Sequence, residues 1–304
     1  MVRKILIVGA TGQQGSATIE ELLALPTSSE IHIVGLTRTP NSPKAKALAA
    51  AHLGRISFVQ GDLNNAPAVF GHPTLPPGSL ASLYLLTLPG RAPEDAVGKA
   101  WIDAALAHGV EQIVLSTVDR GGDPRSWDAP PTSVPHFAQK HAVEMHLAAS
   151  SARHRTVLRP VALLDNMNAG VFCGLFTAMW ATVGTARARP LQFVSARDVG
   201  RFAARALADP EGWDRRALAI AGDEMAPEEA RAVFRRVVGR ELPRAWWVFG
   251  RIVFWLVPGM REMFAWFGTD GFRVDIKELR RMEPRLQDFE TWLKEESRWE
   301  SKSE

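Results

Sequence analysis

The sequence contains a single cysteine, Cys173, and a single tyrosine, Tyr84. One thiol excludes a disulfide within the chain and makes a reducing compartment the simpler assumption, so we expect a cytoplasmic protein. The net charge is only +3, and no run of lysine and arginine is dense enough to indicate a nucleic-acid partner. The apolar stretch near the start is too short for a signal peptide and leads directly into glycines.

Long uncharged runs are scarce as well. Residues 166–186 carry no charge and are long enough to cross a bilayer, but they include two Asn, three Gly and three Thr. A second apolar run, residues 245–259, is interrupted by Arg251 and is too short to span. We therefore expect the first run to form a buried helix over a cleft, and we expect no membrane partner.

The sequence does contain a regular alternation of short apolar runs and helical patterns. The runs, rich in Val, Ile and Leu, cover residues 4–8, 31–36, 56–59, 80–86, 112–116 and 155–158. The helical patterns between them cover residues 13–24, 43–52, 94–108 and 136–150. Short apolar runs of this kind are typical of strands covered on both faces. The alternation predicts an α/β fold with a doubly wound parallel sheet.

The pattern changes near residue 160. The later half holds eight of the ten tryptophans, no histidine and mostly helical patterns, with one return strand expected at residues 217–221. We therefore predict a sheet domain over residues 1–159 and a smaller, mostly helical region over residues 160–296. The return strand should rejoin the sheet, and residues 297–304 should fray.

The stretch GATGQQG, residues 9–15, follows the first predicted strand and opens the first predicted helix. Gly9 permits a sharp turn, Gly12 leaves room for a diphosphate, and Gly15 allows close packing of helix on strand. The amides of residues 12–15 are then expected to face anionic oxygen at the helix amino terminus. This placement is typical of a Rossmann-type nucleotide-binding domain. The alternative is a tight turn without a ligand.

The end of the second predicted strand reads GLTRTP, with Arg38 and no acidic residue nearby. An acid there usually meets a free ribose hydroxyl, whereas a guanidinium grips a 2′-phosphate. The sequence therefore favours NADP(H) over NAD(H), the alternative being a solvated surface arginine. After the third strand, Asp62 in VQGDLNN is a candidate acceptor for the adenine amino group, or simply a turn residue.

Taken together, the ordered segments GATGQQG, TRTP, QGDL, HFAQKHAVEMHL, VLRPVALLDNM and FVSARDVGRFAARAL resemble the NmrA-like branch of the atypical short-chain dehydrogenases/reductases. The closing segment FAWFGTDGFRVDIKELRRMEPRLQDFETWL resembles that branch too. The resemblance implies a dinucleotide-binding domain with a smaller C-terminal cap domain over the nicotinamide. The branch includes NADPH-dependent reductases of quinones and aromatic compounds, and regulators that report redox state to a partner protein.

The resemblance also implies site residues. The phosphate loop corresponds to Gly9, Thr11, Gly12, Gln13, Gln14 and Gly15. The 2′-phosphate contact corresponds to Arg38 and the adenine pocket to Asp62 and Leu63. The segment beside the nicotinamide ribose corresponds to Thr87, Leu88 and Pro89, the active-site lysine to Lys140, and the stretch passing the nicotinamide to Leu163, Leu164, Asp165 and Asn166.

The chain departs from the wider superfamily at its catalytic tyrosine. Where many members have Tyr-x-x-x-Lys, this sequence has His136-Phe-Ala-Gln-Lys140, and Tyr84 falls in a predicted strand. Tyrosine acid catalysis is thus excluded by composition. Lys140 remains able to bind ribose hydroxyls and relay a proton, and His136, one helical turn earlier, could donate one. The alternatives are a helix-start histidine and a surface ion pair of Lys140 with Glu144.

Other candidate sites have weaker patterns. Ser116 and Thr117 could orient a substrate or satisfy local backbone. His141, Glu144 and His146 lack the i, i+4 histidine spacing of a zinc helix, so we expect no metal. Cys173 is expected to be a buried structural thiol. The tryptophan-rich residues 246–266 could be core, an aromatic substrate wall or a partner surface.

Two functions follow from these expectations. The first is an NADPH-dependent reductase of an apolar carbonyl, quinone or aromatic small molecule, with Lys140 and His136 supplying the proton. The second is a sensor whose bound NADP(H) signals to a regulatory protein partner without turnover. The sequence leaves open whether the chain forms a homo-oligomer.

Overall fold

In the computed structural model, which describes residues 2–88, 93–121, 134–183, 190–245 and 259–300, the strands form two sheets. They are β1 (Arg3–Ile7), β2 (Ile31–Thr37), β3 (Ile56–Gln60), β4 (Ser82–Leu86), β5 (Gln112–Ser116), β6 (His154–Pro160), β7 (Ala162–Leu163), β8 (Leu191–Val194), β9 (Arg216–Ile220) and β10 (Asp223–Met225). The large sheet is parallel with the order β3-β2-β1-β4-β5-β6-β9, and the small sheet has the order β10-β8-β7.

Apolar residues cover both faces of the large sheet. Along β1, Ile5 and Ile7 belong to one buried cluster, whereas Leu6 and Val8 belong to the other. A strand alternates its side chains between faces, so a continuous apolar run is what two covered faces require. The predicted doubly wound parallel sheet is confirmed, including the return strand β9, which pairs with β6.

Helices lie on both sides of this sheet. They are α1 (Gln13–Ala24), α2 (Pro43–Ala51), α3 (Ala66–Phe70), α4 (Glu94–Ala107), α5 (Pro135–Ala149), α6 (Val171–Val183), α7 (Ala196–Ala208), α8 (Pro227–Val238), α9 (Met260–Thr269), α10 (Ile276–Met282) and α11 (Phe289–Glu295). Local chemistry sets several of the starts: the side chains of Ser42, Asn65 and Ser195 each accept a hydrogen bond from a first-turn amide.

Helix α7 comes from the later half of the chain but packs on α1. A Cβ atom at Gly200 would lie 2.6 Å from the backbone carbon of Ala17, so the two helices approach at van der Waals contact. Arg197 and Arg201 of α7 both form ion pairs with Glu21 of α1. Both α7 and β9 therefore return to the large sheet and its helices, and the division at residue 159 stays a prediction.

The uncharged run 166–186 forms a short 3-10 helix (Leu164–Met167) followed by α6, and residues 184–186 lie outside the described residues. Cys173 is buried in α6, as predicted, and burial raises its pKa to about 11. Within the described ranges, we find no helix with both the length and the apolar character needed to cross a membrane. Residues 246–258 of the tryptophan-rich segment lie outside those ranges, and Trp266 packs in the core against Phe137.

The end of the chain differs from the expectation of a frayed tail. The Arg298 amide donates to Asn168 Oδ1 (2.7 Å), and Trp299 Nε1 donates to the Met167 carbonyl oxygen (2.9 Å). The Trp299 ring also packs edge-on against Phe234. The prediction was wrong for residues 297–300 because tertiary contacts hold this segment; residues 301–304 lie outside the described residues.

Candidate functional site

A cavity of about 630 Å³ opens at the carboxyl ends of the first four strands. This edge of a parallel sheet is where ligands of α/β proteins usually bind. The cavity is lined by Val8, Gly9, Thr11, Gly12, Leu36, Thr37, Arg38, Thr39, Ser42, Lys44, Gly61, Asp62, Leu63, Asn64, Leu86 and Leu88. Of the predicted site residues, it brings together Gly9, Thr11, Gly12, Arg38, Asp62, Leu63 and Leu88.

The glycine loop has the geometry that the sequence predicts, with one correction. Gly9 has φ +68°, a left-handed conformation, and a Cβ at Gly15 would lie 2.2 Å from the Gly9 carbonyl oxygen. However, the Gly12 amide donates to that oxygen (2.8 Å), so it is committed within the loop. The free amides are those of residues 13–15, which have no acceptor in the first turn of α1, since Gly12 carries no capping side chain.

The side chain of Gln14 points beneath the loop. Its Oε1 accepts hydrogen bonds from the Tyr84 hydroxyl (3.0 Å) and from Ser116 Oγ (2.7 Å). Tyr84 is fully buried, and this burial raises its pKa to about 12. Gln14, predicted as a ligand contact, and Ser116, a candidate for orienting a substrate or satisfying local backbone, thus use these groups to support the loop. Gln13 is exposed at the helix start.

Two cations lie at the other end of the cavity. Arg38 and Lys44 are both exposed and line it, and neither forms an ion pair with any residue in the described part of the chain. Lys44 lies in the first turn of α2, where the helix dipole disfavours a cation. Sequence reasoning missed Lys44, although this unfavourable position is itself a signal for an anion nearby.

Asp62 and Leu63 lie beside these cations. Asp62 is exposed, and its Oδ1 accepts hydrogen bonds from the backbone and side-chain nitrogens of Asn64, both at 3.0 Å. Asp62 therefore closes the turn after β3 and also lines the cavity, so its role toward adenine stays a prediction. The Leu63 carbonyl accepts a hydrogen bond from Trp101 Nε1 (2.6 Å), which fixes the base of the turn.

Lys140 projects from α5 toward the end of β4. Its ammonium donates to the Thr87 carbonyl oxygen (3.0 Å), to Thr87 Oγ1 (3.2 Å) and to Glu94 Oε1 (2.5 Å). The alternative of a surface ion pair with Glu144 was wrong, because Glu144 is buried and binds other partners. Leu88 is 61% exposed at this end of the cavity, and Pro89 lies outside the described residues.

His136 is half-buried one turn before Lys140. A Cβ at Gly259 would lie 3.4 Å from His136 Nδ1, so the ring lies against the turn that precedes α9. Burial lowers the pKa of His136; the Glu94 carboxylate partly offsets this shift, and the Lys140 charge adds to it. The pKa therefore lies below 6.5, and the imidazole is mostly neutral at pH 7.

Glu144 forms a buried ion cluster behind β5 and β6. Its carboxylate accepts hydrogen bonds from Arg120 (2.7 Å), Arg159 (2.7 Å) and Thr117 Oγ1 (2.6 Å). Burial alone would raise the pKa of Glu144, but the hydrogen bonds and charges of the two arginines outweigh burial and hold it below 4.5. Thr117, a candidate for orienting a substrate, is committed to this cluster.

The segment from Leu163 to Asn166 has a structural task that sequence reasoning did not anticipate. Asp165 Oδ2 accepts a hydrogen bond from the Ala196 amide (2.7 Å) at the start of α7, and Leu164 is fully buried. Burial raises the pKa of Asp165. Leu163 and Asn166 are half-buried, and none of these four residues lines the 630 Å³ cavity.

Comparison with known proteins gives a consistent picture. Residues 1–293 match the NmrA-like family. A curated relative, the NmrA-like family domain-containing oxidoreductase ptmS of Penicillium ochrochloron, is 28% identical over 173 residues, which is 54% of this chain and 48% of that relative. The chain thus matches about half the length of this relative.

Two solved structures share the fold. One is NmrA, a negative transcriptional regulator in complex with NAD, with a TM-score of 0.69, 17% identity, and coverage of 98% of this chain and 96% of that one. The other is the NADPH-dependent quinone oxidoreductase QOR2 of Escherichia coli in complex with NADPH, with a TM-score of 0.67, 22% identity, and coverage of 94% and 97%. At these identities the likeness supports the fold.

Proposed function

Because the chain belongs to the NmrA-like family, we propose that it binds NADP(H) in the 630 Å³ cavity and reduces an apolar carbonyl, quinone or aromatic small molecule. One observation carries the proposal. One cavity is lined by Gly12, directly before the helix amides of residues 13–15, and also by Arg38 and Lys44, which have no carboxylate partner among the described residues.

The loop end suits a diphosphate. The amides of residues 13–15 have no acceptor in the described structure, and the α1 dipole places partial positive charge there. Gly12 lines the cavity without a side chain, so anionic oxygens can approach the backbone. Gln14, held from below by Tyr84 and Ser116, keeps the loop in this shape before any ligand arrives.

The cation end suits a 2′-phosphate. Arg38 and Lys44 lie beside Ser42 and Thr39 in the cavity wall, and Asp62 is the one carboxylate among the described lining residues. A dianionic phosphate would gain charge-assisted hydrogen bonds from both cations, whereas a ribose hydroxyl would gain little. This charge distribution supports a preference for NADP(H) over NAD(H).

Removing either cation should therefore weaken NADPH binding selectively. We expect Arg38→Ala and Lys44→Ala each to reduce NADPH affinity about tenfold or more, because a charge-assisted hydrogen bond contributes about 1.5–3 kcal/mol. NADH affinity should change less than about threefold. Calorimetric titration of both nucleotides measures the two affinities.

The matched control is Lys46→Ala, an exposed lysine of the same helix that does not line the cavity. It should leave both affinities unchanged. If Arg38→Ala and Lys44→Ala weaken the binding of NADH and NADPH equally, or weaken the binding of neither nucleotide, then these residues do not bind the 2′-phosphate.

Reduction needs a proton donor near the acceptor oxygen. When bound, the nicotinamide supplies the hydride. We assign Lys140 to hydrogen-bond the substrate oxygen and pass it a proton, since its ammonium lies at the end of β4 beside the cavity residue Leu88. His136, mostly neutral at pH 7, is better placed to receive or relay a proton than to act as the first acid.

A reductase should oxidise NADPH in the presence of quinones or enones. We expect Lys140→Met to lower kcat about a hundredfold while NADPH still binds, because general acid catalysis contributes about 10²–10⁴-fold. Absorbance of NADPH across a panel of quinones and enones measures turnover. Inertness of the wild-type protein across that panel, despite tight NADPH binding, would contradict the reductase.

One observation favours the alternative of a redox sensor. All three hydrogens of the Lys140 ammonium are engaged by Thr87 and Glu94, so a proton donor is available only after rearrangement. A sensor must bind NADP⁺ and NADPH with different affinities, or change its partner's affinity differently with each. Titration of NADP⁺ and of NADPH tests the sensor, because equal affinities and equal partner effects would exclude redox sensing.

A further inference from the structure

Glu94 is a buried carboxylate that sequence reasoning did not single out. It is the first residue of α4, where the helix dipole favours a negative charge, and it is 2% exposed. Its backbone amide donates to Gln139 Oε1 (2.8 Å), which ties the start of α4 to α5. The carboxylate therefore occupies a fixed position between two helices.

The oxygen Oε1 of Glu94 receives two donors. The Lys140 ammonium donates at 2.5 Å and the Thr87 hydroxyl at 2.7 Å. The other two hydrogens of the ammonium point to Thr87, so one threonine and one carboxylate surround it. The ammonium therefore has three oxygen acceptors, one of them a carboxylate, for its three hydrogens.

The second oxygen of Glu94 is buried and has no hydrogen-bond donor among the described residues. A buried carboxylate oxygen without a donor costs free energy, so a purely structural tie would be better made by a neutral side chain. A charged carboxylate at position 94 is explained if Glu94 acts on the neighbouring Lys140 ammonium.

We propose that Glu94 is a positioning residue for Lys140, which holds the ammonium at the end of β4 and keeps it charged. The inference rests on the proposed function in one respect, which is that Lys140 faces the bound ligand at the end of β4. Among the described residues, two titratable groups face the ammonium: Glu94 from α4 and His136 from α5, while the neutral Thr87 follows β4. Because an imidazole is either neutral or cationic, the countercharge of the ammonium is Glu94.

The direct test measures the charge of Lys140 without relying on activity. In competitive acetylation with acetic anhydride, only neutral amines react, and mass spectrometry of the Lys140 peptide reports its labelling. We expect Glu94→Gln to increase Lys140 labelling about tenfold at constant pH, because losing an adjacent opposite charge shifts an ionisation by about one pH unit or more. Exposed Lys46 serves as the internal reference.

The matched control is Asp95→Asn. Asp95 is the next residue of α4, but it pairs with Lys99 on the surface, so Lys140 labelling should not change. Glu94→Asp keeps the charge on a shorter side chain and should give an increase smaller than that of Glu94→Gln. If Glu94→Gln does not fold, Glu94→Asp decides the question: it should raise labelling above wild type, and no rise would overturn the proposal.

A second readout comes from the pH profile of 1,4-naphthoquinone reduction by NADPH. The alkaline limb should move about one pH unit lower in Glu94→Gln and return toward wild type in Glu94→Asp. Unchanged labelling and an unchanged alkaline limb in folded Glu94→Gln would show that Glu94 only ties α4 to α5. Failure of the wild type to bind NADPH would refute the proposed function, while the labelling result would still decide the role of Glu94.

Discussion

Gly15→Ala is expected to abolish NADPH binding and to destabilise the fold. A Cβ atom at Gly15 would lie 2.2 Å from the Gly9 carbonyl oxygen and 2.7 Å from the Gly9 carbonyl carbon. Neither atom can move without shifting the loop or displacing α1, so the amides of residues 13–15 lose their common direction. Calorimetry should detect no NADPH binding, and urea denaturation should show a loss of about 3 kcal/mol in unfolding free energy.

Gly54→Ala is the control for this prediction. Gly54 has φ +75°, but a Cβ there meets no atom within 4 Å. The left-handed conformation should cost about 1 kcal/mol of stability and leave NADPH affinity unchanged. Should Gly15→Ala bind NADPH within about threefold of wild type, the close contact of loop and helix is not what shapes the site.

Glu144→Gln should produce the largest loss of stability among single changes away from the cavity. Glu144, Arg120 and Arg159 are each no more than 3% exposed, and the carboxylate is the acceptor for both guanidinium groups. Removing its charge leaves two buried cations together. Breaking a buried pair in this way costs about 3–5 kcal/mol, measured as the change in unfolding free energy in urea.

Glu228→Gln provides the contrast. Glu228 pairs with Arg231 on an exposed face of α8, and its loss should change stability by less than about 0.5 kcal/mol. Similar losses in the two variants would contradict the buried cluster.

The stability of the fold at acid pH should also depend on the buried cluster of Glu144, Arg120 and Arg159. The pKa of Glu144 is lowered in the folded state, so its stabilisation is complete above its ordinary value of 4.5 and is lost as pH falls through the folded value. Glu144→Gln should therefore lose stability less steeply than wild type below about pH 4.5. An identical acid dependence in both proteins would show that this carboxyl is not stabilised by folding.

Sequence reasoning was reliable where one short segment determines its own structure. Strands β1, β2 and β5 are covered on both faces, so each appears as a continuous apolar run. The glycine loop is similar: the left-handed Gly9 and the close approach at Gly15 leave no alternative to glycine, and the pattern shows it. Local covalent geometry carries both signals.

It was unreliable where partners come from distant parts of the chain. Spacing along α5 pairs Lys140 with Glu144, yet Lys140 binds Glu94, 46 residues away in sequence, and Glu144 binds two arginines. Helical spacing places two residues on one side of a helix, but it does not show what the neighbouring helix and sheet offer. A buried carboxylate nearby outcompetes an i+4 neighbour.

The small sheet was missed for a different reason. Strands β7 and β10 have two and three residues, too few to show an alternating pattern. Strand β8 has four residues that are all buried, so it shows no alternation either. The position of helix α7 could not be predicted either, because its contact with α1 depends on Gly200 fitting against Ala17. Neither helix sequence alone predicts this contact between the two helices.

The most direct test of the central claim is a crystal structure of the protein with NADP⁺. We predict that the diphosphate lies over the amides of residues 13–15 and that the 2′-phosphate lies between Arg38 and Lys44. A nucleotide bound elsewhere, or one whose 2′-phosphate faces solvent away from both cations, would contradict it.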